Sequence, residues 1–110
     1  MPRMRAVEAA SAGRITVSPE VIADFCRRRH IRRLSLFGSV LRDDFGPESD
    51  VDVLVEFEAT HVPGFFRLFE MEQELSETLG RKVDLNTPNS LSKYFRARVL
   101  AEAVPLHDAA

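Results

Sequence analysis

The stretch Ser49-Asp50-Val51-Asp52-Val53-Leu54-Val55-Glu56-Phe57 constrains the fold more than any other part of the chain. Its apolar and polar residues alternate with period two, the signature of a strand with one face in a core. Val51, Val53, Val55 and Phe57 fall on one face; Asp50, Asp52, Leu54 and Glu56 fall on the other. Residues i and i+2 of a strand lie about 6.5–7 Å apart on the same side. Asp50 and Asp52 therefore form a pair that can share one or two divalent cations. Hard carboxylate oxygens suit Mg²⁺, which binds through one or two carboxylates plus substrate phosphates. Asp52, set inside an apolar strand, needs a partner, because a buried carboxylate without one is costly.

A second feature stands just upstream. The apolar residues before Gly38-Ser39 end in Phe37. The glycine lets backbone approach a ligand closely, and the exposed amides and the Ser39 hydroxyl can hold a phosphate. Gly38-Ser39 and Asp50-Val51-Asp52 together describe a site for a nucleotide phosphate and a metal.

The other segments follow from local signals. Ser18-Pro19-Glu20 is a helix start, followed by Val21, Ile22, Phe25 and Cys26 at helical spacing. Arg27, Arg28 and Arg29 collect at its end, where cations suit the helix dipole. Residues 31–37 read as a strand with Leu34 and Leu36 on one face, and 39–45 as a short helix broken by Gly46-Pro47. After the strand at 51–57 and a Pro63-Gly64 loop, an amphipathic helix is expected over 65–79. Its stripe is Phe65, Leu68, Phe69, Glu72, Leu75 and Leu79, and Gly80 stops it. A third strand covers 82–86, with Asp84 between Val83 and Leu85. A last helix, capped by Ser90 or Ser92, ends near Ala103, before Pro105. The alternation implies an α/β (α+β) fold: a small mixed sheet of about three to four strands flanked by helices.

Composition sets the outer bounds. The 110 residues suit one domain, here 18–110, after a loosely ordered segment at 1–17. The N-terminal segment has no apolar core of the kind a signal peptide carries, and no run approaches a membrane span. A net charge of −2 gives no global case for nucleic-acid binding. One cysteine, Cys26, reads as a small buried hydrophobe and fits a reducing, cytoplasmic setting.

If the third strand lies beside the second, Asp84 closes the same metal site as Asp50 and Asp52. A third carboxylate there can ligate a metal or accept the nucleophile's proton. The arrangement Phe37-Gly38-Ser39, a ten-residue spacer, Asp50-Val51-Asp52 and then Val83-Asp84-Leu85 resembles the DNA-polymerase-β-like nucleotidyltransferases, and most closely the minimal nucleotidyltransferase (MNT) domains. Arg42, three residues after Ser39, also matches that pattern, whereas Asp43 stands where many relatives have glycine. The resemblance spans residues 18–107. It implies a nucleotidyltransferase fold, Mg²⁺ (one or two ions) and ATP as substrate. Asp50, Asp52 and Asp84 would be the catalytic, metal-holding acids, and Gly38, Ser39 and Arg42 the nucleotide-binding residues. It also implies an antitoxin whose partner is a HEPN-domain ribonuclease toxin, neutralised by AMP transfer onto a tyrosine or by binding alone.

Plainer readings stand beside these. Arg42 can simply pair with Asp43 or Asp44 on the surface, where such pairs matter little. The basic stretch 27–33 reads as a solvated helix end before it reads as an RNA or phosphate patch. His30, His61 and His107 are scattered without ligand spacing, so zinc is not expected. Phe65 and Phe69 belong to the core stripe, Phe66 breaks it and can mark a partner surface, and Tyr94 packs in the last helix. The expected function is Mg²⁺-dependent transfer of AMP to a partner's hydroxyl. The competitors are an antitoxin that works by occlusion and a small-molecule nucleotidyltransferase, for which no acceptor-building second domain is visible.

Overall fold

A computed structural model describes residues 5–6, 16–41, 46 and 49–109. The expected loose segment at 1–17 lies largely outside them, as do Arg42, Asp43 and Asp44. Two short strands, β1 (Arg5–Ala6) and β2 (Thr16–Val17), pair antiparallel, apart from the main sheet. Helix α1 (Pro19–Arg28) begins as its sequence dictates: Ser18 caps it by accepting from the Val21 N–H at 3.4 Å, and Pro19 opens the first turn.

The main sheet has four strands. β3 (Ile31–Phe37) runs antiparallel to β4 (Val51–Phe57), which in turn runs parallel to β5 (Val83–Asn86). The fifteen-residue helix α2 (Phe65–Leu79) makes the crossover between the two parallel strands. After α3 (Lys93–Glu102), β6 (Val104–Asp108) returns antiparallel to β3, so the order across the sheet is β5-β4-β3-β6. The α+β architecture and the mixed sheet of four strands are within those expected. The sequence located only three of the strands: at β6 it placed a helix end and Pro105.

One face of the sheet makes the core. Leu34 and Leu36 of β3 meet Val51, Val53 and Val55 of β4, and Ile22, Phe25 and Cys26 of α1 and Met71 and Leu75 of α2 cover them. Each such side chain contributes about 1.5–3 kcal/mol by leaving water. Burial pushes the Cys26 thiol up to about 12, so it stays protonated and inert as a nucleophile. The other face carries Ser35 and Phe37 of β3, Asp52, Leu54 and Glu56 of β4, and Asp84 of β5. Leu54 is also buried there, beneath the 3₁₀ turn Pro88–Ser90 that packs on β4.

Three further expectations need correction. The short helix at 39–45 is a 3₁₀ turn over Gly38–Leu41, and its remainder lies outside the described residues. Phe65 and Phe69 are not core: they are 81% and 55% exposed, and the residues that α2 buries, Met71 and Leu75, lie further along the helix. Tyr94 is 82% exposed rather than packed, since α3 contributes no fully buried residue.

Candidate active site

The antiparallel pairing of β3 and β4 brings the end of one strand to the start of the next. Phe37, the last residue of β3, is the register partner of Asp52. Gly38 follows with φ of +73°, a left-handed conformation that residues with a Cβ adopt at a cost. A Cβ at Gly38 would be driven into the Asp52 carboxylate, whose Cγ lies 3.2 Å from that position. Glycine is thus needed twice: for its backbone angle, and for the space beside one carboxylate.

Ser39 points back along the same edge, its hydroxyl donating to the Asp50 carbonyl at 3.3 Å. Across the parallel pair, Asp52 and Asp84 are register partners, so both project from the same face of neighbouring strands, spaced by about 4.8 Å. Asp50 sits just before β4, roughly half exposed, with the Lys82 ammonium 3.9 Å from its Oδ2. Arg81 donates to the Gly46 carbonyl at 2.7 Å and to the Ser49 carbonyl at 2.9 Å, which fastens the approach to Asp50. The Val51 N–H donates to the Lys82 carbonyl at 2.8 Å and extends that clasp. Arg81 and Lys82 carried no signal in the sequence beyond their place at the head of a strand.

A cleft of about 440 Å³ opens over Gly38, Ser39 and Asp52, and α3 supplies its opposite wall through Phe95, Arg98 and Val99. This explains why α3 has no buried face: its apolar side chains line a cleft. Asp84 and Asp50 do not line that cleft. Ser92 accepts from the Tyr94 N–H at 3.3 Å, so it, rather than Ser90, caps α3. Arg96 donates to the carbonyls of Pro88 and Leu91 at 2.7 and 3.2 Å, holding the helix against the turn that precedes it. Phe95, Arg98 and Val99 were not singled out from sequence, because a cleft wall has no periodic signature of its own.

The donor set fits Mg²⁺. The three carboxylates offer only hard oxygens, and Gly38 keeps open the space beside Asp52 that a Cβ would fill. The structure sets Gly38 beside Asp52, ties Ser39 to the Asp50 carbonyl and puts Asp84 in register with Asp52. The carboxylate oxygens of Asp50, Asp52 and Asp84 do not all lie within 4.8 Å of one another, and Arg42 lies outside the described residues.

The basic stretch is exposed at Arg27, Arg28, His30 and Arg32, as a solvated helix end should be. Arg28 and Arg29 in addition reach Glu74 of α2, at 2.7 and 2.8 Å, and tie the end of α1 to its neighbour. Burial pushes the Glu74 carboxyl up, but the hydrogen bonds from Arg28 and Arg29 outweigh it and hold the group below the usual carboxylate range. His30 and His61, scattered in sequence, stack with ring centroids 3.8 Å apart.

A strand-end glycine set against an acid, with a second acid in register on the next strand, is an arrangement suited to holding a metal against a phosphate. Comparison with known proteins gives the class. Residues 19–107 match the nucleotidyltransferase domain family, and the chain belongs to that family. It is 39% identical over 74 residues to a candidate protein adenylyltransferase of Methanocaldococcus jannaschii, covering 67% of this chain and 77% of that one. It is 38% identical over 74 residues to the protein adenylyltransferase MntA of Thermococcus cleftensis, covering 67% of this chain and 73% of the relative. Among solved structures, a candidate minimal nucleotidyltransferase superposes with a TM-score of 0.66 at 32% identity, over 79% of this chain and 87% of that one. A toxin–antitoxin structure with AMP-PNP gives 0.67 at 22% identity, over 84% and 74% of the two chains. A tri-AMPylated Shewanella oneidensis HEPN toxin in complex with an MNT antitoxin gives 0.59 at 23% identity, over 82% and 69%. The last two show likeness of fold.

Proposed function

We propose that this chain transfers AMP from ATP, with Mg²⁺, to a hydroxyl of a HEPN ribonuclease toxin, a tyrosine being the expected acceptor, and so acts as its antitoxin in the cytoplasm. The observation that carries the reading is the apposition of Gly38, Asp52 and Asp84: a space held open beside one acid, with a second acid in register on the next strand. The relatives named protein adenylyltransferase and the toxin–antitoxin folds support the nucleotide and the partner.

In this reading the backbone turn at Gly38 and the Ser39 hydroxyl grip the β- and γ-phosphates. Asp50, Asp52 and Asp84 hold Mg²⁺, which when bound neutralises triphosphate charge and aligns the attacking and leaving oxygens. The acceptor oxygen attacks the α-phosphorus, the bond to the bridging α–β oxygen breaks, pyrophosphate leaves, and Asp84 takes the acceptor's proton. Phe95 on the far wall gives the adenine a face to stack on. Most of the acceleration then comes from positioning and fixed charge.

The test is the intact mass of the neighbouring-gene HEPN protein after incubation with this chain, Mg²⁺ and each of the four nucleoside triphosphates. A gain of one or more AMP groups with ATP, lost in a folded Asp52→Asn variant, is the expected result. Equal transfer by Asp52→Asn would overturn the site assignment. A second reading, neutralisation by occlusion, is favoured by the exposure of Phe65, Phe66, Tyr94 and Phe95. A stable complex with unchanged partner mass would select it.

A further inference from the structure

At the opposite end of β3 and β4 from the aspartates, the sheet assembles a second set of ligating groups. His30 occupies the turn between α1 and β3, Glu58 follows the last residue of β4, and His61 lies three residues further on. Asp52 and Glu58 are six residues apart on one chain, so the two sites are separated by about 20 Å. Backbone hydrogen bonds fix the trio: the Glu58 N–H donates to the His30 carbonyl at 3.0 Å, and the His61 N–H to the Glu58 carbonyl at 2.9 Å. His30 holds φ of +57°, the sole non-glycine residue with a positive φ among the described residues.

One ligand atom from each of the three side chains lies within 4.8 Å of the other two, and among the described residues no other group of His, Cys, Asp and Glu does so. The His30 Nδ1 stands 3.9 Å from a Glu58 carboxylate oxygen. The His61 Nδ1 is 2.9 Å from the Thr60 hydroxyl, which leaves Nε2 as its free ligating nitrogen. A partner on the non-ligating nitrogen is the usual way a metal-binding imidazole is oriented. All three side chains are exposed, so the stacked His30 and His61 rings are free of packing that would stop them turning out of the stack to aim both nitrogens at one ion.

We propose that His30, Glu58 and His61 form a site for a divalent transition metal of the Zn²⁺ class, separate from the carboxylate site. Two imidazole nitrogens and one carboxylate oxygen are the donors such ions take, whereas Mg²⁺ prefers oxygen alone. Three protein ligands leave a position open. The neighbouring cleft of about 300 Å³ is lined by Arg28, Arg29 and Arg67, so the group that fills this position is an anion or water. The bound ion clips the α1–β3 turn to the β4–α2 loop, beside the exposed Val62, Phe65 and Phe66.

The test is titration of the tag-free full chain with Co²⁺, followed by its visible absorption, in excess Mg²⁺ to saturate the carboxylate site. The expected result is one Co²⁺ per chain, displaced by Zn²⁺, with the thermal midpoint rising by several degrees when Zn²⁺ is present. His61→Ala and His30→Asn each abolish the absorption band, asparagine being chosen because it tolerates the left-handed backbone. Asp52→Asn and His107→Ala leave the band intact. The metal-free midpoints of the His30 and His61 variants serve as the folding control. Absence of a stoichiometric band in the parent chain, or its survival in folded His61→Ala and His30→Asn, would overturn the proposal.

Discussion

At the scale of a single residue, Gly38 is the position where the fold and the proposed chemistry cannot be separated. Its φ of +73° and the lack of room for a Cβ beside Asp52 make alanine wrong on both counts. The backbone penalty alone is about 1–2 kcal/mol, a fraction of the stability of a small domain. We therefore expect Gly38→Ala to fold with a thermal midpoint lowered by several degrees and to lose transfer by about 100-fold or more, the scale seen when one charge-stabilising group is misplaced. Steady-state transfer rates beside a melting curve check this; an active Gly38→Ala would show that the close approach to Asp52 is dispensable. Gly38, Asp50 and Asp52 were legible in the sequence because a turn and an i, i+2 pair are local. Asp84 was legible only conditionally, since its role depends on which strand it lies beside, and the parallel register with Asp52 supplies that missing fact. The His30–His61 stack was illegible, because it joins two loops whose proximity follows from the β3–β4 pairing and from no spacing between the histidines.

At the scale of elements, α2 shows how a correct helix can be given too wide an apolar face. Its bounds agree with the sequence pattern, and Leu68, Leu75 and Leu79 of the expected stripe meet the core, but Met71 joins them, Phe65 and Phe69 do not, and Glu72, counted in the stripe, does something else. β5 is an edge strand with backbone donors to satisfy. Glu72 accepts from the Leu85 N–H at 2.8 Å, and Ser76 accepts from the Val83 N–H at 3.0 Å, so α2 covers that edge with polar side chains. One turn away, Glu74 ties α2 to α1 through Arg28 and Arg29. The Glu74 carboxyl is held below its ordinary range in the folded chain, so it contributes stability at and above the range where the unfolded carboxyl ionises. That contribution is lost as pH falls through the folded value. Glu74→Gln is expected to cost about 1 kcal/mol at pH 7, where the ion pairs are intact, and to converge with the parent in strong acid. Melting midpoints of the two proteins across that pH range are the measurement; a constant gap would mean that Glu74 acts through packing and not through charge.

At the scale of the whole molecule, the large apolar side chains fall into a buried and an exposed population with opposite consequences. Sequence pattern makes that division only in part: Phe66 breaks the α2 stripe and is exposed as that break implies, whereas Leu106 lies in a stretch too short to show its burial. β6 was missed for the same reason: Val104, Leu106 and the intervening Pro105 are too few to show a period, and proline argues against a central strand while remaining permissible at an edge. Leu106 is 8% exposed on the strand that closes the β3 side of the sheet, whereas Phe66 is 82% exposed and meets Phe65 edge to face with centroids 5.9 Å apart. Leu106→Ala should cost about 2–4 kcal/mol, since it removes packed methyl groups and leaves a void beside β3. Phe66→Ser should change stability by less than about 0.5 kcal/mol, since water already surrounds the ring. Because β3 ends in Phe37 beside Gly38, loosening β6 should also lower transfer at temperatures near the new midpoint and restore it on cooling. Denaturant titration of both variants, with transfer assayed at two temperatures, tests the division. A strongly destabilised Phe66→Ser would place that ring in the core of the free chain, and a silent Leu106→Ala would detach β6 from the sheet that carries the site.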